Sequence, residues 1–165
     1  MGVRGVVVHV GKHCKSDLND SLKRMKNKII EIIECATPEC PLLLETPAGQ
    51  GTEVLTDMIE FLDFVWEIRN DQRVVEKNKS ECFSVCIDTC HVFATGVIPS
   101  LYLKTALQTP KYNNFLKLIH FNDSKGACGS CVDRHAILGE GVIGIEELHE
   151  CAQLGVSFEI PMVFE

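Results

Sequence analysis

Histidines and carboxylates recur in this sequence at one kind of place, directly after a short apolar run. Val6-Val7-Val8 leads to His9, Leu42-Leu43-Leu44 to Glu45, Ser84-Val85-Cys86-Ile87 to Asp88 with His91 close behind, Leu116-Lys117-Leu118-Ile119 to His120, and Met162-Val163-Phe164 to Glu165. Asp133 and His135 add a further contribution from the polar stretch after His120. Imidazole and carboxylate together suit zinc, manganese or iron, and a carboxylate can bridge two ions as an imidazole cannot. Taken singly, such a histidine is more often a hydrogen-bonded structural residue, and a lone Asp or Glu beside a turn is more often a cap. Their recurrence across successive runs points instead to a metal cluster, because gathering these groups without a cation would set like charges against one another.

The elements that must position these residues alternate between strand and helix. Val6 to Val10 reads as a parallel strand buried on both faces. Leu18, Leu22, Met25, Ile29, Ile32 and Ile33 then recur at helical spacing, with Ser16 or Asp17 as cap. After Pro38 and Pro41 comes the run Leu42 to Leu44. The turn Ala48-Gly49-Gln50-Gly51, with Thr52 as the expected cap, leads into a helix carrying Leu55, Met58, Phe61, Leu62, Val65 and Ile68. Residues 69–81 are polar and read as a surface connection. Phe83 to Ile87 is the third strand, followed by a loop and a weaker helical stretch near Leu101 to Leu107. Leu116 to Phe121, a long glycine-containing loop, a short helix over Ile145 to Gln153 and Met162 to Phe164 complete the pattern. About five strands separated by helices predict a parallel α/β fold in one domain over residues 1–165, with the strand ends converging on one mouth.

Composition bounds the function. The chain has 165 residues, 45% of them hydrophobic, and a net charge of -7 from 16 Lys and Arg against 23 Asp and Glu. An acidic balance disfavours a general grip on nucleic acid through a basic face, although bound divalent ions would offset negative charge where a phosphate must sit. There is neither a long apolar run nor a basic, then apolar, leader after Met1, so no membrane partner and no secretion are expected. Nine cysteines, an odd number in a chain of this length and apolarity, are read as reduced thiols in an intracellular compartment, cytoplasm or nucleus. Cys128 and Cys131 form a lone CxxC in a Gly/Ser stretch and read as a loop.

The segments LETPAGQG (Leu44 to Gly51), CIDTCH (Cys86 to His91), HFNDSK (His120 to Lys125) and VDRH (Val132 to His135) followed by LGEG (Leu138 to Gly141) resemble the signatures of the endonuclease IV family of apurinic/apyrimidinic (AP) endonucleases. The resemblance runs from His9 to Glu165 and implies a TIM barrel, a trinuclear zinc centre, and cleavage of double-stranded DNA 5′ to an abasic site to leave a 3′-hydroxyl. It implies His9 as a ligand of the first metal and Glu45 as the catalytic carboxylate bridging the first and second. Asp88, His120 and Glu165 are implied for the second, and His91, Asp133 and His135 for the third. The family pattern thus selects the residues already marked by their strand-end positions. Lys12, Lys125 and Arg134 are the nearest cations and are expected at DNA phosphates, a plain salt bridge being equally open to Arg134. Gln50 joins them, in a glycine turn that admits close backbone approach or simply starts a helix. His13 is read as a supporting or a surface histidine, and His149 as part of a solvated helix face.

A TIM barrel needs eight strands and typically about 250 residues, so five strands predict an incomplete barrel whose upstream strands are missing. Such a half-barrel is expected to self-associate or to meet an upstream half-barrel partner. Two other readings stand beside the endonuclease: another metal-dependent barrel enzyme of sugar isomerase type, and a non-catalytic remnant. The set His91, Asp133 and His135 speaks against the isomerase.

Overall fold

The computed structural model describes residues 3–165; Met1 and Gly2, from which the leader reading starts, lie outside them. Strands β1 (Val6–His9), β2 (Leu42–Glu45), β3 (Phe83–Asp88), β4 (Leu116–His120) and β7 (Met162–Val163) form one parallel sheet in the order β1-β2-β3-β4-β7. Between them run α1 (Leu18–Ile33), α2 (Met58–Arg69), α3 (Gln72–Val75), α4 (Thr89–Ala94), α5 (Pro99–Gln108) and α6 (Ile145–Ser157). A two-stranded antiparallel ribbon, β5 (Asp123–Ser124) with β6 (His135–Ala136), occupies the long loop after β4.

Side-chain alternation sorts the two central strands. Leu42, Leu44, Phe83, Val85 and Ile87 pack with Phe61, Leu62, Val65 and Ile68 of α2 into the main core. Each such side chain contributes roughly 1.5–3 kcal/mol when fully buried. The other face of the same strands carries Glu45, Ser84, Cys86 and Asp88. Register then aligns the strand ends: His9 lies opposite Glu45 and Asp88 opposite His120. The second pairing depends on a shift in β3–β4, where Val85 faces Leu116 but Cys86 faces Leu118. Without that extra residue Asp88 would meet Ile119 and His120 would point to the opposite face.

The structure departs from the expectations at several elements. β1 is an edge strand, with Val6 and His9 exposed, because it pairs on one side only. β7 is the other edge, so the sheet is open among the described residues. α1 is capped by Asp17, which accepts from the Asp20 amide at 3.1 Å. α2 starts at Met58, not after Thr52: Asp57 accepts from the amides of Ile59 and Glu60 at 2.8 and 3.0 Å, and Leu55 has φ +61°, outside any helix. Thr52 instead accepts from the Cys14 amide. Residues 69–81 are not merely a surface connection. They hold α3 and a 3-10 turn, and the buried Arg69 guanidinium donates to the Phe83 carbonyl at 2.5 Å and to Glu81 at 2.6 Å while lying over the Phe115 ring. The loop expected after β3 begins with α4, and α6 runs on to Ser157.

Candidate metal centre

Glu45 sits at the middle of the strand-end row, 1% exposed, and its two oxygens face two histidines. Oε2 lies 2.9 Å from His9 Nε2 and Oε1 lies 2.7 Å from His120 Nδ1. His120 Nδ1 is also 3.0 Å from Glu165 Oε2 and 4.0 Å from Asp88 Oδ2. One imidazole nitrogen thus faces three carboxylates, more acceptors than a single N–H can serve. Donor atoms of Glu45, Asp88, His120 and Glu165 lie within 4.8 Å of one another.

Beside this group stands a second one. His91 Nδ1 is 2.9 Å from the Thr46 carbonyl, which fixes the proton there and leaves Nε2 as a free lone pair. That Nε2 lies 3.3 Å from Asp133 Oδ1, and His135 Nε2 lies 3.2 Å from the same oxygen. His135 Nε2 is buried without a hydrogen-bond partner. Ligands at about 2.0–2.1 Å from a tetrahedral zinc would be roughly 3.3 Å apart. The spacing and the orphaned nitrogen therefore fit an ion better than they fit a hydrogen-bond network.

The backbone explains how these side chains are held. Asp88 ends β3 and caps α4 through the His91 amide at 2.9 Å, which turns His91 back over the strand ends. Asn122 donates to Asp88 Oδ2 at 2.7 Å and accepts from the Glu165 amide at 3.1 Å, tying β3 to the segment after β7. Thr46 Oγ1 accepts from the Asp88 amide at 3.0 Å. Asn122 and Thr46 were not singled out from the sequence, although both lie inside the quoted motifs. His135 is placed by β6, where it pairs with Ser124.

All eight candidate ligands, His9, Glu45, Asp88, His91, His120, Asp133, His135 and Glu165, face this one region through the contacts above. The expected DNA contacts form a looser group. Lys12 is exposed and 3.8 Å from Glu53, which also accepts from the amides of Gly49 and Gln50 at 2.9 Å each. Arg134 is exposed and donates to the Asp133 carbonyl. Lys125 lines a cleft of about 660 Å³ together with Phe121, His135, Leu138, Phe164 and Glu165. His13 faces the Ser16 carbonyl and His149 pairs with Gln153 on α6, neither reaching the centre. Cys128 and Cys131 are exposed in a loop, as expected.

Burial opposes the charged form of His91, but Asp88 and then Glu45 outweigh it and raise its pKa above the ordinary value. Burial likewise opposes the charge on His120, and its bond to Glu45 with the charges of Glu45, Glu165 and Asp88 raises its pKa. Protons therefore hold these nitrogens to higher pH than in a free histidine. A metal must displace them, so zinc affinity is expected to strengthen as pH rises from about 6 to about 8 and to fail below that range. In the metal-free chain the sign reverses. A raised histidine pKa stabilises the fold below the ordinary value, and that stabilisation is lost as pH rises through the raised one. The zinc-induced gain in melting temperature should consequently grow with pH over this window. A gain independent of pH would remove both histidines from the binding set.

A parallel sheet with intervening helices that delivers histidines and carboxylates from successive strand ends to one mouth is the arrangement of the β/α-barrel class of protein. The family described as "Xylose isomerase-like TIM barrel" matches residues 1–153, and the chain belongs to that family. Among its relatives are proteins named probable endonuclease 4. A probable endonuclease 4 from Mycoplasmopsis agalactiae is 32% identical over 100% of this chain and 56% of its own length. One from Symbiobacterium thermophilum is 32% identical over 99% of this chain and 57% of its own. The crystal structure of endonuclease IV from Thermus thermophilus superposes with a TM-score of 0.75 at 27% identity, covering 99% of this chain and 55% of that one. A D-tagatose 3-epimerase-like protein superposes with a TM-score of 0.70 at 19% identity, a likeness of fold alone. The chain spans about half the length of the relatives it matches.

Proposed function

We propose that the chain carries the metal-binding portion of a DNA-repair hydrolase that cuts the phosphodiester 5′ to abasic sites in double-stranded DNA. The observation that carries this reading is the orphaned His135 Nε2 beside Asp133 and His91, next to the group built on Glu45. Two adjacent donor sets sharing one mouth suit a phosphodiester, whose in-line displacement needs positive charge on both the attacking and the leaving side.

In this reading His9 and Glu45 hold a first zinc, Glu45, Asp88, His120 and Glu165 a second, and His91, Asp133 and His135 a third; manganese or iron suits the carboxylate-rich positions. When bound, the ions neutralise the phosphate and activate water. The protein's own residues do the positioning. Asn122 fixes Asp88, the Thr46 carbonyl fixes the His91 tautomer, and the buried Glu45 carboxylate joins two donor sets. Lys125 in the cleft, with the exposed Arg134 and Lys12 and the Gln50 turn, are the phosphate-contacting residues of this reading. The free thiols suit an intracellular, reducing setting. None of the described helices is long and apolar enough to cross a membrane.

The test is incision of a duplex containing one abasic site, with zinc and with a chelator. Chelator-sensitive cleavage 5′ to the site supports the reading. Its absence in a preparation that binds zinc refutes activity of this chain alone. His135→Ala is expected to lower bound zinc by about one equivalent, measured by elemental analysis. Unchanged stoichiometry would remove the third site.

A further inference from the structure

Two buried cysteines stand among the donors of the centre and have no part in the reading above. Cys86 lies opposite Glu45 in the β2–β3 register, and its sulfur is within 4.8 Å of donor atoms of both Glu45 and His120. Cys90, in α4 between Asp88 and His91, places its sulfur within 4.8 Å of donor atoms of Asp88 and His135. Both residues are 0% exposed. The contact recorded for the Cys90 thiol is a long one, 3.8 Å to the Arg134 carbonyl. The nitrogen it shares a group with, His135 Nε2, is the buried atom without a partner. Each triad therefore combines a carboxylate, an imidazole and a thiol around one point, and the thiol changes which ions the point prefers. Oxygen donors alone suit manganese and imidazole suits zinc, whereas thiolate draws thiophilic cations, zinc among them.

We propose that Cys86 and Cys90 are sulfur ligands through which this centre captures thiophilic divalent cations such as cadmium. The inference rests on the metal-centre reading and deepens it. On capture each S–H bond breaks, its proton passes to solvent, and the sulfur donates the freed electron pair to the ion; nothing is oxidised or reduced. Harder ions leave both thiols protonated, so the same mouth has an oxygen-and-nitrogen state and a sulfur-bound state. The consequence is selective poisoning: cadmium competes for Glu45, His120, Asp88 and His135 from beneath.

The test uses the full chain with its exposed and half-buried cysteines replaced by serine, at Cys14, Cys35, Cys40, Cys128 and Cys131, which leaves Cys82, Cys86, Cys90 and Cys151. Cadmium is expected to produce sulfur-to-metal charge-transfer absorption and to remove roughly half of the Raman S–H intensity, two thiols of the four. Manganese should do neither. Adding Cys86→Ser or Cys90→Ser should each halve the absorption, and the Raman measurement needs no core variant should these fold poorly. Cadmium that displaces zinc yet leaves the S–H band intact overturns the proposal and spares the metal-centre reading. A chain that binds neither zinc nor cadmium overturns both.

Discussion

Glu45→Gln is expected to abolish incision and to weaken zinc binding by about 100-fold or more. Residues that merely support metal ligands typically cost 10–100-fold when changed, and Glu45 is at the centre of the donor set, with one oxygen toward His9 and the other toward His120. Glutamine keeps the shape and can still accept through one oxygen, but it cannot bring a negative charge to two positions at once. The fold itself should survive. The metal-free variant is expected to melt close to the wild type, while the rise in melting temperature on adding zinc largely disappears. That split separates a ligand from a core residue, since a structural role would lower the metal-free melting temperature instead. Wild-type zinc affinity in Glu45→Gln would end the bridging assignment.

The strand-end residues were legible because a parallel strand buried on its helix-facing side leaves a plain trace, an apolar run closed by a polar residue. Leu42 to Glu45 and Phe83 to Asp88 show it fully, every residue buried. β1 shows it less well: the same apolar run is an edge strand, and edge and centre do not differ in sequence. The shift at Cys86 was not legible either. It decides that His120 rather than Ile119 meets Asp88, yet pairing register depends on two strands remote in sequence. The start of α2 is not decided by sequence because Thr52 and Asp57 are both competent caps, and the choice falls to the left-handed backbone of Leu55. Arg69 reads as a solvated helix residue and is buried, because its partners are a carbonyl of β3 and the ring of Phe115.

Asp123, inside the HFNDSK segment, has a role that its sequence position does not reveal. It is 0% exposed and accepts from four backbone amides: Ser124 at 2.8 Å and Ile143 at 3.1 Å on Oδ1, Gly139 at 3.0 Å and Gly141 at 2.9 Å on Oδ2. The LGEG segment is thereby folded around one carboxylate. A Cβ at Gly141 would collide with Asp123 Oδ1, so only glycine lets the backbone come this close. Four hydrogen bonds to a charged acceptor, at about 1.5–3 kcal/mol each, are not additive in a loop that can relax. A loss of about 4 kcal/mol is therefore expected for Asp123→Ala, which leaves four backbone amides without their acceptor. For a chain of this size that lowers the melting temperature by about 8–16 °C. Asp123→Asn, which retains one acceptor oxygen, should cost about half as much. The effect should also reach the metal, because β5 pairs Asp123 with Ala136 and Ser124 with His135. Below its melting transition Asp123→Ala is expected to lose the ion held by His91, Asp133 and His135 before those held by Glu45, since only that set depends on the ribbon. Equal loss of all bound zinc would mean that Asp123 supports the fold as a whole, and an unchanged melting temperature would deny it any such role.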